Sequence, residues 1–199
     1  MRILQPFYNT SLACPQKTRY NANQILHAQG ELMKKIAFFD IDGTLTSEID
    51  GSIPVSAIEA IRAARANGNL MFINTGRCFQ NVEERFRSIG FDGLVCGCGT
   101  NIYCEDREIL HVSQTHDVTM ELLKAAQDAD LDILFESYKE VTFDRSRPLH
   151  DSEAIKLYRQ FASFDYHMPD PNTTPDFACD KFVTWFQKPA QLAEFRQVS

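Results

Sequence analysis

From Lys34 onward, short continuous apolar runs alternate with amphipathic stretches along the chain. Ile36–Phe39 and Leu70–Ile73 are unbroken apolar runs, as expected for strands covered on both faces. Between them Ala57, Ile61 and Ala64 fall on one helical face with Ile58 beside them. Ser56-Ala57-Ile58-Glu59 reads as a capping box that opens this helix, and Asn67-Gly68 as its stop. The stripe Phe79, Val82, Phe86 and Ile89 predicts a further helix closed by Gly90. Leu94–Cys96 is a third short strand. Strands alternating with helices imply parallel βαβ units.

The pattern then changes. Asn101–Cys104 and Glu108–Val112 read as a β-hairpin, followed by a helix with Val118, Leu122 and Ala125 on one face. Leu131–Phe135 and Glu140–Phe143 are strands around a turn at Ser137–Lys139. A helix over Ser152–Phe164 precedes a loop rich in Pro, Asn and Asp at Pro169–Pro175. Lys181–Phe186 is a further strand, and Pro189 begins a last helix. This half predicts a small α+β unit on an antiparallel sheet. Trp185 alternates with Phe182, Thr184 and Phe186, and reads as its core. Phe161, Phe164 and Tyr166 read as packing of this unit, with lining of a ligand pocket as the alternative.

Residues 1–32 are polar, carry Pro6 and Pro15 and show no sustained period, so they read as a flexible extension. Met33-Lys34-Lys35 looks like a natural start, and the codons of Gln29-Gly30-Glu31 can spell a purine-rich ribosome-binding stretch. Translation is therefore expected to begin at Met33. The resulting division is 1–32 extension, 33–113 α/β core with its connecting hairpin, and 114–199 α+β unit.

Composition excludes several function classes. At 199 residues, with 44% apolar and 24% charged positions, the chain is globular rather than disordered. Its net charge of −7 disfavours nucleic acid and anionic membrane, both of which reward a basic face. An acidic protein still binds a phosphorylated substrate where a metal neutralises the site. No stretch approaches the ~18–20 apolar residues of a membrane span. Gln5, Pro6 and Asn9 interrupt any signal-peptide apolar region, and Ser11-Leu12-Ala13-Cys14 lacks the apolar segment a lipoprotein site needs. A cytoplasmic location is expected. Cys14, Cys78, Cys96, Cys98, Cys104 and Cys179 then read as free thiols. Cys96-Gly97-Cys98 with Cys104 lacks the paired spacing of structural zinc and reads as small residues at a strand end.

The richest segment is Phe38-Phe39-Asp40-Ile41-Asp42-Gly43-Thr44-Leu45-Thr46. An apolar strand feeds two carboxylates one residue apart, and Gly43 then turns the chain at the mouth of a sheet, where open α/β folds place ligands. Strand side chains alternate, so Asp40 and Asp42 leave in different directions and suit different tasks. Asp40 can attack phosphorus as a nucleophile. Asp42 can protonate the leaving oxygen and later activate water. Mg²⁺ is needed so that a carboxylate can approach a phosphate, and Asp oxygens are its preferred ligands. Thr75, at the end of the second strand, supplies a hydroxyl and backbone N–H groups suited to phosphate at a helix N-terminus.

Asp40-Ile41-Asp42-Gly43-Thr44-Leu45 resembles motif I of the haloacid dehalogenase-like (HAD) superfamily. Asn74-Thr75-Gly76-Arg77 resembles motif II of its Cof-type, subclass IIB phosphatases, and Val95-Cys96-Gly97-Cys98-Gly99-Thr100 is similar to the same branch. The likeness covers residues 34 to 199. It implies a Rossmann-like parallel-sheet core, here its N-terminal part, with an α+β cap inserted after the third strand. By resemblance Asp40 is the nucleophile, Asp42 the acid/base and Thr75 the phosphate ligand. Gly43, Thr44, Gly76 and Arg77 complete the phosphate and substrate site, with a surface salt bridge as the alternative for Arg77. Mg²⁺ would be held by the Asp40 carboxylate and the Asp42 backbone carbonyl. The implied substrate is a small phosphorylated metabolite, a sugar phosphate or phosphorylated cofactor.

The chain departs from the family pattern where a motif III lysine and a motif IV acidic pair would follow the cap. Lys181 and Lys188 read as cap residues, and no Gly-Asp dipeptide occurs. Cys98 stands where many relatives carry Asn. The sequence therefore reads as the N-terminal portion of such a phosphatase, weak or inactive alone, with Ile36–Phe39 left as an exposed apolar edge. The rival reading is a non-catalytic fragment that works with a complementing chain. A weaker one, an Asp-x-Asp nucleotide-sugar transferase, explains motif I but not Gly43-Thr44 or Thr75.

Overall fold

A computed structural model describes residues 34–196 apart from Glu48, Asp106 and Asp165. The reading of residues 1–32 and the start at Met33 lies outside the described residues. Among the described residues eight strands form two sheets. The first has the order β1 (Ile36–Phe39), β2 (Leu70–Asn74), β3 (Gly93–Cys96), β4 (Asn101–Cys104) and β5 (Arg107–His111). β1, β2 and β3 pair in parallel, and the β4–β5 hairpin extends the sheet antiparallel. The second sheet has the order β7 (Val141–Phe143), β6 (Asp132–Glu136) and β8 (Lys181–Trp185), all antiparallel.

In the first sheet β2 delivers Met71 and Ile73, and β1 the partly buried Ala37 and Phe39, to a core shared with Ile41, Leu45, Ile61, Val82, Phe86 and Ile89. The helix α1 (Val55–Ala66) buries Ile61 as its periodicity predicts. Its start differs from expectation. Pro54 fixes the entry at φ −58 and its carbonyl receives Ala57 N–H and Ile58 N–H, so Ser56 lies inside the helix and caps nothing. Among the described residues β1 has only β2 as a neighbour, and Ile36 and Phe38 are each 57% exposed.

The stripe Phe79–Ile89 is apolar as predicted but is not one helix. A single tight turn at Phe79–Asn81 is followed by extended Val82 and Glu83 and the short α2 (Glu84–Arg87). The break has a physical cause. Gln80 N–H donates to Tyr138 O of the second sheet, and Glu83 is drawn out by Arg77 and Arg85, so these groups are satisfied outside a helix. Val82, Phe86 and Ile89 are nevertheless buried, and Gly90 turns the chain at φ +99.

In the second sheet every residue of β6 is buried. Its alternation sends Ile133 and Phe135 to a core with α3 (His116–Asp128) and α5 (Pro189–Phe195), where Leu123, Phe177, Phe182 and Phe195 meet them. Leu134 faces the other way, with Val183 and Trp185, toward α4 (Ser152–Ser163). Cys78, from the first-sheet side, joins this second cluster, so the loop after β2 is packed into both layers. Among the described residues no helix is long and apolar enough to cross a membrane.

Candidate active site

Asp40 follows the last residue of β1. The chain then makes a wide turn closed by Leu45 N–H to Asp40 O at 3.2 Å and Thr46 N–H to Ile41 O at 3.1 Å. Ile41 and Leu45 plug this turn into the core, and Gly43 sits at φ +76, a left-handed conformation costly for any side chain. Anchored below, the turn presents Asp40, Asp42, Gly43 and Thr44 to solvent. Asp40 accepts only Ile41 N–H, at 2.8 Å, leaving its other oxygen without a partner among the described residues.

Asp42 meets the loop after β2. Arg77 Nε donates to Asp42 Oδ2 at 3.0 Å and Arg77 Nη2 to Oδ1 at 2.7 Å, a two-pronged guanidinium–carboxylate pair. The hydrogen bonds Arg77 donates to Asp42 push its pKa up by more than burial lowers it. Arg77 Nη1 also reaches Glu83 Oε1 at 3.1 Å. Burial favours the neutral form of Glu83, but hydrogen bonds from Arg85 and Arg77 outweigh it and hold the carboxyl low.

The Thr75–Arg77 turn is fixed backbone atom by backbone atom. Thr75 N–H donates to Val95 O at 2.9 Å, Cys98 N–H to Thr75 O at 3.2 Å, and Gly97 N–H to Arg77 O at 2.8 Å. Arg77 N–H donates to the Thr75 hydroxyl at 3.2 Å. Cys98 adopts a left-handed φ of 61 to make its contact. Gly76 N–H has no partner among the described residues, whereas Thr75 is buried with its hydroxyl accepting Arg77 N–H. One expectation is corrected here. Thr75 does not stand at a helix N-terminus, because extended and tightly turned backbone follows it, and any phosphate grip comes from individual N–H groups.

A cleft of about 380 Å³ separates the two sheets. Asp42, Gly76 and Arg77 form its floor, and Leu134, Glu136, Phe161, Phe164, Tyr166, Lys181, Val183 and Trp185 face them from the second sheet and α4. Phe161, Phe164 and Tyr166 line the cleft and also pack on one another, with ring centroids 5.6 and 5.9 Å apart along the trio. Asp40, Gly43, Thr44 and Thr75 lie outside this lining. A cavity of about 490 Å³ opens at the opposite end of β3, between Arg65, Phe79, Arg87 and Tyr103. Its Arg65 is bound to Asp92 and its Arg87 to Phe79 O.

Sequence reasoning missed Lys181 and Glu136 as parts of the site. Lys181 opposes Glu136 across the β6–β8 ladder, with Nζ 2.5 Å from Glu136 Oε2, and also donates to Gly76 O. Asn81 Nδ2 reaches Glu136 Oε1 at 3.4 Å. Burial would lower the Lys181 pKa, but the Glu136 charge outweighs it and the net shift is upward. Only the alternation of the Lys181 strand was legible beforehand.

Oxygen donors are present for a hard cation. Mg²⁺ commonly takes one or two carboxylates and completes its shell with water and substrate phosphate, and the solvent-facing oxygen of Asp40 suits it. Among the described residues no group of three His, Cys, Asp or Glu side chains converges on one point. Whatever ion binds would therefore keep most of its shell from elsewhere.

Two carboxylates just past the carboxyl end of the parallel strand β1, a backbone turn after β2 and a second sheet facing both have the layout in which open α/β folds place ligands. The chain belongs to the haloacid dehalogenase-like hydrolase family, whose model matches residues 37–198. It is 30% identical over 138 residues to a phosphoglycolate phosphatase of Staphylothermus marinus, covering 67% of this chain and 53% of that protein. The chain thus spans about half the length of the curated relative it matches. BT1666 from Bacteroides thetaiotaomicron, one of the HAD phosphatases, shares the fold with a TM-score of 0.65 at 20% identity, over 86% of this chain and 63% of that one. A HAD subclass IIB sugar phosphatase, BT4131, gives 0.64 at 20% identity, over 83% and 62%.

Proposed function

We propose that this chain carries the nucleophile, the acid/base and the substrate-facing cap of an Mg²⁺-dependent phosphomonoesterase acting on small phosphorylated metabolites in the cytoplasm. The observation that carries this reading is the Asp40 carboxylate oxygen left without a partner among the described residues just past β1, with Asp42, two residues on, at the floor of the inter-sheet cleft. Asp40 attacks phosphorus and the bond to the leaving oxygen breaks, while Asp42, once it parts from Arg77 and takes a proton from solvent, hands that proton to the leaving oxygen. Water then attacks the aspartyl-phosphate, Asp42 takes the water proton, and orthophosphate leaves with Asp40 restored. Thr75 Oγ1 and Gly76 N–H hold the transferring phosphoryl oxygens. Mg²⁺, held by the Asp40 carboxylate and Asp42 backbone carbonyl, would offset the repulsion between carboxylate and phosphate. The cap-side aromatics and the Lys181–Glu136 pair fit a polar organic leaving group. The relatives' names, a phosphoglycolate phosphatase and a sugar phosphatase, support this substrate class.

The test is hydrolysis of a generic phosphomonoester with Mg²⁺ by the wild type and by Asp40→Asn. Slow turnover that is lost in the variant is expected, and equal rates in both would overturn the assignment. A second reading is that full activity needs a complementing chain. The exposed edge strand β1 favours it, and a rate that rises with an added second segment would bear it out.

A further inference from the structure

We propose that Lys181, seated by Glu136, is a positioning residue that couples the docking of the three-stranded sheet to the shape of the phosphate-facing turn at Thr75–Arg77. The inference rests on the phosphatase reading for its purpose, but its geometry stands apart from it. The three carbonyls of this turn are all engaged. Cys98 N–H and Gly97 N–H hold Thr75 O and Arg77 O from within the first sheet. Gly76 O alone is held from the other layer, by Lys181 Nζ. Gly76 is also the residue whose N–H is left open, so the group that would bind phosphate belongs to the residue the cap restrains.

An ordinary cross-strand ion pair explains less. Opposite charges facing one another across a ladder are common and contribute little when exposed. Here the side chains retain only 12% and 7% exposure, and burial of a pair is tolerated when further hydrogen bonds satisfy both partners. Glu136 receives Asn81 Nδ2 and Lys181 Nζ, and Lys181 spends a second donor on Gly76 O. Both extra bonds run to the loop after β2. A pair serving the second sheet alone would have no reason to reach across the cleft twice. The chain of contacts is continuous from Asn81 through Glu136 and Lys181 to Gly76, and from its neighbour Arg77 to Asp42. Lifting the cap would release Gly76 O and free the turn to rotate.

The experiment uses the full chain and a double variant, Lys181→Met with Glu136→Gln, which removes both charges while keeping volume and the Asn81 bond. Lys181→Gln serves if the double variant does not fold, since it can still bond Glu136 but is too short for Gly76 O. Two quantities are read: affinity for inorganic phosphate by calorimetry, and hydrogen exchange of the Arg77 amide, which donates to Thr75 Oγ1. The expected result is about tenfold weaker phosphate binding and about tenfold faster Arg77 exchange, the worth of one charge-assisted hydrogen bond, with exchange in β6 unchanged. Unchanged affinity and exchange would overturn the proposal. Weaker binding with unchanged exchange would also overturn it, because Lys181 would then be meeting phosphate directly. Faster Arg77 exchange in a protein whose wild type binds no phosphate would support the positioning role and sink the phosphatase reading instead.

Discussion

The two sheets differ in how they are covered. β6, at the centre of the small sheet, has a strand on each side and helices on both faces, and all its residues are buried. β1 delivers the two aspartates, yet among the described residues it has one neighbour and shows Ile36 and Phe38 to solvent. The layer that holds Asp40 and Asp42 is thus the less enclosed one, and the layer facing them across the cleft is the better packed. Packing energy and chemistry are concentrated in different places. They meet only along the seam where Arg77, Asn81 and Gly76 face Glu136 and Lys181.

The contrast breaks most visibly at Phe135. Its ring is fully buried, so Phe135→Ala should cost about 3–5 kcal/mol of stability by chemical denaturation. A loss under 1 kcal/mol would mean the small sheet is looser than it looks. Gly43→Ala comes next, because an alanine at φ +76 is strained by about 1–2 kcal/mol. Activity should fall along with melting temperature, since the same turn carries Asp42. Asp92 sharpens the comparison on the side of the larger sheet. Burial alone would raise its pKa, but the Arg65 hydrogen bond and Met71 N–H more than reverse this. A lowered native pKa means stabilisation present above the usual Asp range and lost as pH falls through the native value. Asp92→Asn should therefore destabilise the protein at neutral pH and converge with wild type in strong acid, as read from melting curves at stepped pH. The smallest effect is predicted for Phe38→Lys. Replacing a 57% exposed ring should leave stability within about 0.5 kcal/mol while reducing self-association in light scattering. A large stability loss there would show that the edge is covered in solution.

Much of this architecture was legible in the residue pattern. Period-two and continuous apolar runs marked the strands within a residue or two, and the Asp-x-Asp-Gly turn stood out because few other contexts place two carboxylates and a glycine directly after an apolar strand. Local signals failed where distant partners decided the outcome. Phe79–Ile89 has helical spacing, but Tyr138 O and the Arg77 guanidinium compete for its backbone and for Glu83. Ser56 had the right neighbours for a cap, but Pro54 had already set the helix start. Lys181 could not be found from sequence because its importance comes from β6, 45 positions away by the pairing of Lys181 with Glu136, and from a loop farther still.

The chain has one tryptophan, and it is Trp185, stacked on Phe143 at 6.4 Å and lining the cleft between the sheets. All indole emission therefore originates at the surface the substrate would touch. Ligand entry or cap movement can be followed optically in the unmodified protein, without a label and without turnover. The fold has placed its own reporter at the seam.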